Sequence, residues 1–243
     1  MLDLSGADLT EDEIAKLCQK AEHDYAGMPC GIMDQMAVTA GREGHAMMLD
    51  CRTLERTFVP LPVDDVAIVI TDSKAEHALV DGEYKERRES AEAAAKQLGV
   101  SFLRDATPDQ VESAKGDLGD QLYRRAKHIT TENQRCLDFA EALKNGDYAK
   151  AGELMYASHA SMKDDFEITT PTLDGLVEAA RKVDGVYGSR MTGGGFGGCT
   201  VTLCKASAAD AVQDALKAAA KEQFDVETIP FVTTAANGAK VVD

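Results

Sequence analysis

Gly188-Ser189-Arg190-Met191-Thr192-Gly193-Gly194-Gly195-Phe196-Gly197-Gly198 runs directly into Cys199-Thr200-Val201-Thr202-Leu203-Cys204. Five of the seven residues from Thr192 to Gly198 are glycine. Glycine loses more backbone entropy on ordering than any other residue, so a folded domain that clusters it uses positive φ angles or brings main chain close to a ligand. A flexible linker is the competing reading, and a tight structural turn lies between the two. Linkers are bordered by polar, disorder-prone sequence, whereas Val186-Tyr187 enters this stretch and a β-branched, apolar run leaves it. The stretch therefore reads as an ordered loop between two strands. Oriented amides in such a loop form a concavity suited to anions such as phosphate.

Working outward, the strands around the loop, Tyr187 to Met191 and Thr200 to Cys204, are followed by an alanine-rich helix from Ser207 to about Glu222 and a closing strand from Ile229 to Thr234. Upstream, Gly82 to Leu98, a helix opening at Thr107-Pro108, Leu118 to Leu143, Asp147 to His159 and Leu173 to Val183 read as helices from their apolar spacing and end signals. Three strand-like runs precede them: His45 to Asp50, Glu55 to Leu61 and Val66 to Asp72. The first two read as a hairpin, and the third, apolar throughout, as a strand buried on both faces. At the start, Thr10-x-x-Glu13 is a capping box, with Ile14, Leu17, Cys18 and Ala21 forming one inward stripe of the helix it opens. The mixture is α+β, with any boundary near residues 72–81, where strands give way to helices.

Composition narrows the function. A chain of 243 residues can bury a sizeable core. Its net charge of −16 argues against a polyanion partner, because nucleic-acid binding rests on a basic patch. The six cysteines are dispersed, without a C-x-x-C pair or zinc spacing, and read as free thiols in a reducing compartment. The N-terminus is acidic, without the basic and apolar regions of a signal peptide, and no run is long enough to span a membrane. A cytoplasmic protein is expected, with no membrane and no nucleic-acid partner.

Two acidic features stand out. Glu22, His23 and Asp24 crowd the end of the first helix, where acids oppose the macrodipole; they either hold a cation or are solvated surface groups. Asp34, in Ile32-Met33-Asp34-Gln35-Met36, is flanked by apolar residues. It is buried with partners, catalytic, or a helix cap. The glycine loop lacks the Lys-Ser/Thr of a P-loop and is followed by a strand, unlike the dinucleotide-binding fingerprint. An anion-friendly loop, an isolated Asp and an acid cluster together fit phosphoryl transfer.

Ala21-Glu22-His23-x-Tyr25-Ala26-Gly27-Met28-Pro29-Cys30-Gly31-Ile32-Met33-Asp34-Gln35 resembles the middle region of galactokinases, and Gly188 to Val201 is similar to the third signature motif of that family, within the GHMP small-molecule kinases. Gly82-Glu83-Tyr84-x-x-Arg87-Arg88 and Arg125-Ala126-x-His128-x-x-x-Glu132 continue the resemblance across essentially the whole chain. It implies ATP-dependent phosphorylation of D-galactose at the C1 hydroxyl, with ATP and Mg²⁺ bound. By position, Asp34 matches the catalytic base, Gly31 a glycine whose backbone contacts the sugar, Tyr84 a sugar-contacting tyrosine, and Glu22 a carboxylate at Mg²⁺. Gly193, Gly194, Gly195, Gly197 and Gly198 match a loop beside the substrates and phosphates. The alternatives it leaves are a kinase for N-acetylgalactosamine and a non-catalytic fragment or sugar sensor.

The same resemblance implies a two-lobed GHMP-kinase-like α+β fold with its site in the cleft: residues 1–75 as the remainder of the N-terminal lobe, and 76–243 as a ferredoxin-like C-terminal lobe. Glu22-His23-Asp24-Tyr25 imitates the family's sugar-gripping first motif but stands in the wrong context for it, so His23 and Asp24 receive no such role. That motif and the main phosphate loop have no counterpart in this sequence. Two expectations follow: little kinase activity from the 243 residues alone, and a first lobe with an unpaired sheet edge and exposed apolar surface.

Overall fold

The computed structural model describes residues 6, 8–27, 29–75 and 80–240. The chain forms two compact units, Met1–Val63 with Thr234–Asp243, and Asp64–Thr233.

In the first unit, α1 (Glu11–Ala21) opens on the expected capping box: Thr10 Oγ1 accepts from the Glu13 amide at 3.3 Å, and the Glu13 carboxylate accepts from the Thr10 amide at 2.8 Å. The buried face of α1 differs from the expected stripe. Ala15 is fully buried, while Leu17 is 52% exposed and Cys18 and Ala21 are exposed. The helix has turned its Ala15 side to α2 (Met33–Ala40), because the apolar cluster there is built from Ala15, Ile32, Met36 and Ala40. A single turn of π-helix, Glu22–Ala26, continues α1 and closes on Gly27, whose amide bonds the Glu22 carbonyl.

The strands β1 (His45–Leu49) and β2 (Arg56–Pro60) form the expected antiparallel hairpin, with His45 opposite Pro60 and Leu49 opposite Arg56. Met47 and Leu49, two residues apart and so on one face, pack with Leu54 against the α1–α2 cluster. Among the described residues this sheet has two strands, and Tyr25, Met33, Val38 and Val63 are exposed apolar side chains of the same unit. The C-terminal stretch returns here: the Gly44 amide bonds Ala235 O, the Gly238 amide bonds Gly41 O and the Ala239 amide bonds Val38 O.

The second unit is built on a four-stranded antiparallel sheet of β3 (Val66–Asp72), β4 (Val186–Thr192), β5 (Cys199–Lys205) and β6 (Phe231–Thr233), in the order β4-β5-β3-β6. Between β3 and β4 lie α3 (Val80–Gln97), α4 (Pro108–Ser113), α5 (Lys115–Lys144, broken at Gly119), α6 (Tyr148–Asp164) and α7 (Pro171–Arg181); α8 (Ala209–Phe224) joins β5 to β6. Strand, helices, two strands, helix and strand in this order make the expected ferredoxin-like arrangement. β3 is indeed buried or half-buried along its length, because it lies between β5 and β6. That pairing places β3 in the second unit's sheet, and the two compact units divide between Val63 and Asp64. β6 is shorter than expected, since Pro230 has no amide to give a ladder, and it leaves Ile229 82% exposed.

The main core is the sheet face under α7 and α8, with Ala67, Val69 and Cys204 against Leu176, Val212 and Leu216. On the opposite register, α6 meets β4 at backbone distance. A Cβ added to Gly152 would fall 1.9 Å from Tyr187 O, and one added to Gly188 would fall 2.5 Å from Gly152 Cα. Only paired glycines allow this approach. A separate cluster joins α3, α4 and α5 through Ala94, Val111, Leu118 and Ala126. Among the described residues, no helix is long and apolar enough to cross a membrane.

Candidate functional site

The sequence-predicted residues fall in both units: Glu22, Gly31 and Asp34 in the first, Tyr84 and the glycines in the second. In the first unit, the π-turn and α2 are joined by a short segment whose Cys30 carbonyl accepts from Gln19 Nε2 at 3.2 Å and meets His23 Nε2 at 2.9 Å. Asp24 is engaged by Lys20. His23 and Asp24 thus have local structural partners. Glu22, in the same turn, is exposed and has no side-chain partner among the described residues.

Asp34 stands in the first turn of α2, exposed, with no side-chain partner among the described residues. The helix begins after Ile32, without a side-chain cap. Asp34 is therefore neither buried nor a side-chain cap; as an acid in the first turn it complements the helix dipole. Met36 and Ala40, on the other face of the same short helix, supply the burial, so packing holds α2 while Asp34 faces outward. Gly31 is exposed, and a Cβ added there would meet nothing within 4 Å. Nothing described in the chain itself asks for glycine at that position.

In the second unit, the glycine loop is the turn between β4 and β5, whose pairing places Thr192 opposite Cys199. It is an ordered turn pinned by both strands, as the sequence suggests. Four of its glycines have positive φ: Gly193 (88°), Gly195 (91°), Gly197 (141°) and Gly198 (77°). Gly195 is the most constrained, since a Cβ there would lie 2.6 Å from both the Cβ and the carbonyl oxygen of Ile168. Phe196 takes a left-handed conformation, φ 60°, and its amide donates to Ile168 O at 2.7 Å. Below the loop, Phe166 and Phe196 pack on a cluster of Met162, Ile168, Leu173 and Met191. The Tyr84 ring lies against the loop, 3.5 Å from where a Gly194 Cβ would stand. The structure thus brings Tyr84, 110 positions before Gly194 by residue number, beside the glycines.

A buried polar network underlies β4. Glu132 accepts from Ser158, from Arg135 at 2.7 Å and from Arg190 at 3.2 Å. Burial opposes its ionisation, but the Ser158 and Arg135 hydrogen bonds and the Arg190 charge hold its carboxyl below the usual range. His128 stacks on Phe166 with ring centroids 4.6 Å apart and meets Ser161 Oγ at 3.0 Å. Burial pushes its imidazole down to about 4, so it is neutral at physiological pH. His159 accepts the Met191 amide on Nδ1 at 3.2 Å and turns Nε2 toward Asp174. Burial lowers its pKa too, against the pull of Asp174.

Sequence reading placed Arg87, Arg125, His128 and Glu132 only within matching motifs and missed that the first three converge on Phe166 while Glu132 bonds Arg190 in β4. The corner Phe166–Ile168, which receives the loop, carries no motif at all. Its one local signal, Glu167 with φ 54°, exists only in three dimensions. Among the described residues, no group of three or more His, Cys, Asp or Glu could hold a metal ion.

Comparison with known proteins places this geometry. Residues 1–42 match the GHMP kinases N terminal domain and residues 139–222 match GHMP kinases C terminal. The galactokinase of Bos taurus is 46% identical over 228 residues, 94% of this chain and 57% of the relative. That of Haemophilus influenzae (strain ATCC 51907 / DSM 11121 / KW20 / Rd) is 45% identical over 238 residues, 96% of this chain and 62% of the relative. The crystal structure of Lactococcus lactis galactokinase complexed with galactose superposes with a TM-score of 0.92 at 35% identity, covering 98% of this chain and 62% of that one. The chain thus spans less than two thirds of the length of these relatives. By sequence and by fold it belongs to the GHMP kinase family, and its similarity within that family is to galactokinases.

Proposed function

We propose that the protein carrying this chain is a galactokinase, transferring the γ-phosphate of ATP to the C1 hydroxyl of D-galactose. The observation that carries the reading is Asp34. In a chain 46% identical to a galactokinase, a carboxylate at the start of a well-packed helix faces outward with no partner among the described residues. An exposed carboxylate without a side-chain partner among the described residues, held on a packed helix, suits a general base that takes the proton of an incoming hydroxyl. Gly31, three residues earlier, leaves room for a substrate to lie against the backbone. Tyr84 offers a phenol beside the glycine loop, and the amides of Gly193, Gly194, Gly195, Gly197 and Gly198 offer donors for phosphate oxygens.

Glu22 fits Mg²⁺ as a single hard-oxygen donor: this cation is held by one or two carboxylates together with substrate phosphates rather than by a cage of protein ligands. When bound, it neutralises charge on the transferring phosphoryl group. The remaining contribution of the chain is positional, which is most of what phosphoryl transfer requires. We place the protein in the cytoplasm, in keeping with cysteines that are not joined in disulfides among the described residues.

Galactose-dependent ADP release tests the reading. Asp34→Asn keeps the side chain's shape and removes the base, so kcat falls by about 10²–10⁴ while the KM for galactose changes little. Unchanged turnover in that variant refutes the assignment of Asp34. ADP release with N-acetylgalactosamine but not galactose refutes the substrate.

A further inference from the structure

The corner Phe166–Ile168 is held by more charge than a surface turn needs. Arg87, on α3, donates Nε to Phe166 O at 2.8 Å and Nη2 to Glu167 O at 2.9 Å, and its Nη1 lies 3.1 Å from Glu86. Arg125, on α5, is 1% exposed; its Nη1 donates to the same Phe166 carbonyl and its Nη2 pairs with the Glu167 carboxylate at 2.9 Å. Arg124 pairs with the other Glu167 oxygen at 2.8 Å. Two guanidinium groups thus share one carbonyl, an arrangement that sets like charges together and buries one of them. Burying charge is a poor way to gain stability, since apolar packing does as well or better. What a planar guanidinium provides instead is fixed geometry.

That geometry leads to the glycine loop. Glu167 is left-handed at φ 54°, a conformation a residue with a β carbon keeps only when its surroundings over-determine it. The next residue, Ile168, gives its carbonyl to the Phe196 amide and its side chain fills the space a Cβ on Gly195 would need. The Arg87 guanidinium also stands 5.2 Å from the Phe196 ring centroid. Tyr84, one helical turn before Arg87 on α3, has its ring 3.5 Å from where a Gly194 Cβ would stand.

We propose that Arg87 and Arg125 are positioning residues: through Phe166 O, Glu167 and Ile168 O they set where the backbone of residues 193–198 lies. The inference rests on the reading of that loop as part of the phosphate site. Arg87, half-buried rather than fully buried, is the one to change. In Arg87→Met, amide hydrogen exchange across 193–198 rises about tenfold or more while strands β3 and β5 exchange as in wild type. In the protein carrying this chain, the KM for ATP rises about tenfold with kcat falling less. Arg87→Lys, which keeps one donor and the charge, recovers part of both effects. If Arg87→Met does not fold, Arg124→Met and Arg87→Lys carry the same comparison.

Unchanged exchange at 193–198 overturns the proposal, as does faster exchange with an unchanged KM for ATP in an active enzyme. Wild-type protein with no galactose-dependent ADP release refutes the proposed function instead. In that case the exchange rates alone decide whether the arginines set the loop.

Discussion

Acidification tests the buried polar network directly. His128 is 7% exposed, stacked on Phe166, bonded to Ser161 and surrounded by Glu132, Arg135, Asp165 and Arg190. In the unfolded chain an imidazole takes its proton near 6.5, whereas in the fold burial delays this to about 4. Between those values the unfolded state binds more protons, so stability falls as pH drops through 6.5 and keeps falling until about 4. Across that gap the loss is about 3 kcal/mol, and between about pH 7.5 and about pH 5 it is about 2 kcal/mol. Glu132 and Glu167, both held below the usual carboxylate range, lose their stabilising charge below that second limit. The window above pH 5 therefore isolates histidine.

The comparison is wild type against His128→Gln, which retains a hydrogen-bonding side chain and cannot titrate. Urea unfolding followed by circular dichroism suits a chain without tryptophan. The substitution carries its own cost at every pH, but that offset does not vary. The wild type should lose about 2 kcal/mol more than the variant between about pH 7.5 and about pH 5. His159, also depressed by burial, contributes equally to both proteins and cancels. Parallel stability curves over that interval would refute the placement of His128 as a buried neutral group.

Two glycines give further tests. Gly152→Ala drives a methyl to 1.9 Å from Tyr187 O, forcing α6 off β4; a loss of about 3 kcal/mol or more in chemical denaturation is expected, and a loss under half of that would contradict the backbone contact. Gly195→Ala meets both a φ of 91° and Ile168 at 2.6 Å. It should cost about 1–3 kcal/mol and raise amide exchange across 193–198 selectively, whereas a wild-type exchange pattern would show that the loop does not need Gly195.

Legibility in the sequence followed the range of the interactions. The Thr10–Glu13 capping box, the hairpin of β1 and β2 and the strands beside the glycine loop are set by neighbours a few residues apart, and each stands where the pattern places it. The inward face of α1 was not legible. Ile14, Leu17, Cys18 and Ala21 satisfy helical spacing, but which side is buried depends on the partner, and α2 packs on the Ala15 side. β6 starts late, at Phe231, because Pro230 lacks a ladder donor, a local signal that a β-branched run concealed. For Asp34, the sequence showed a carboxylate among apolar residues. Only its exposure and the packing of Met36 and Ala40 behind it removed the buried and capping readings.

By itself the sequence determined the family, the α+β class and an ordered glycine loop, because strings such as Gly193 to Gly198 and Gly31 to Asp34 carry their meaning in consecutive residues. Tertiary structure alone decided which unit β3 joins and what holds the loop in place. β3 pairs with β5 through residues more than a hundred positions away, and the loop rests on Ile168, fixed by Arg87 and Arg125. Hydrogen bonds to main-chain carbonyls leave no trace in residue type at the acceptor, so a corner such as Phe166–Ile168 is silent until the chain is folded.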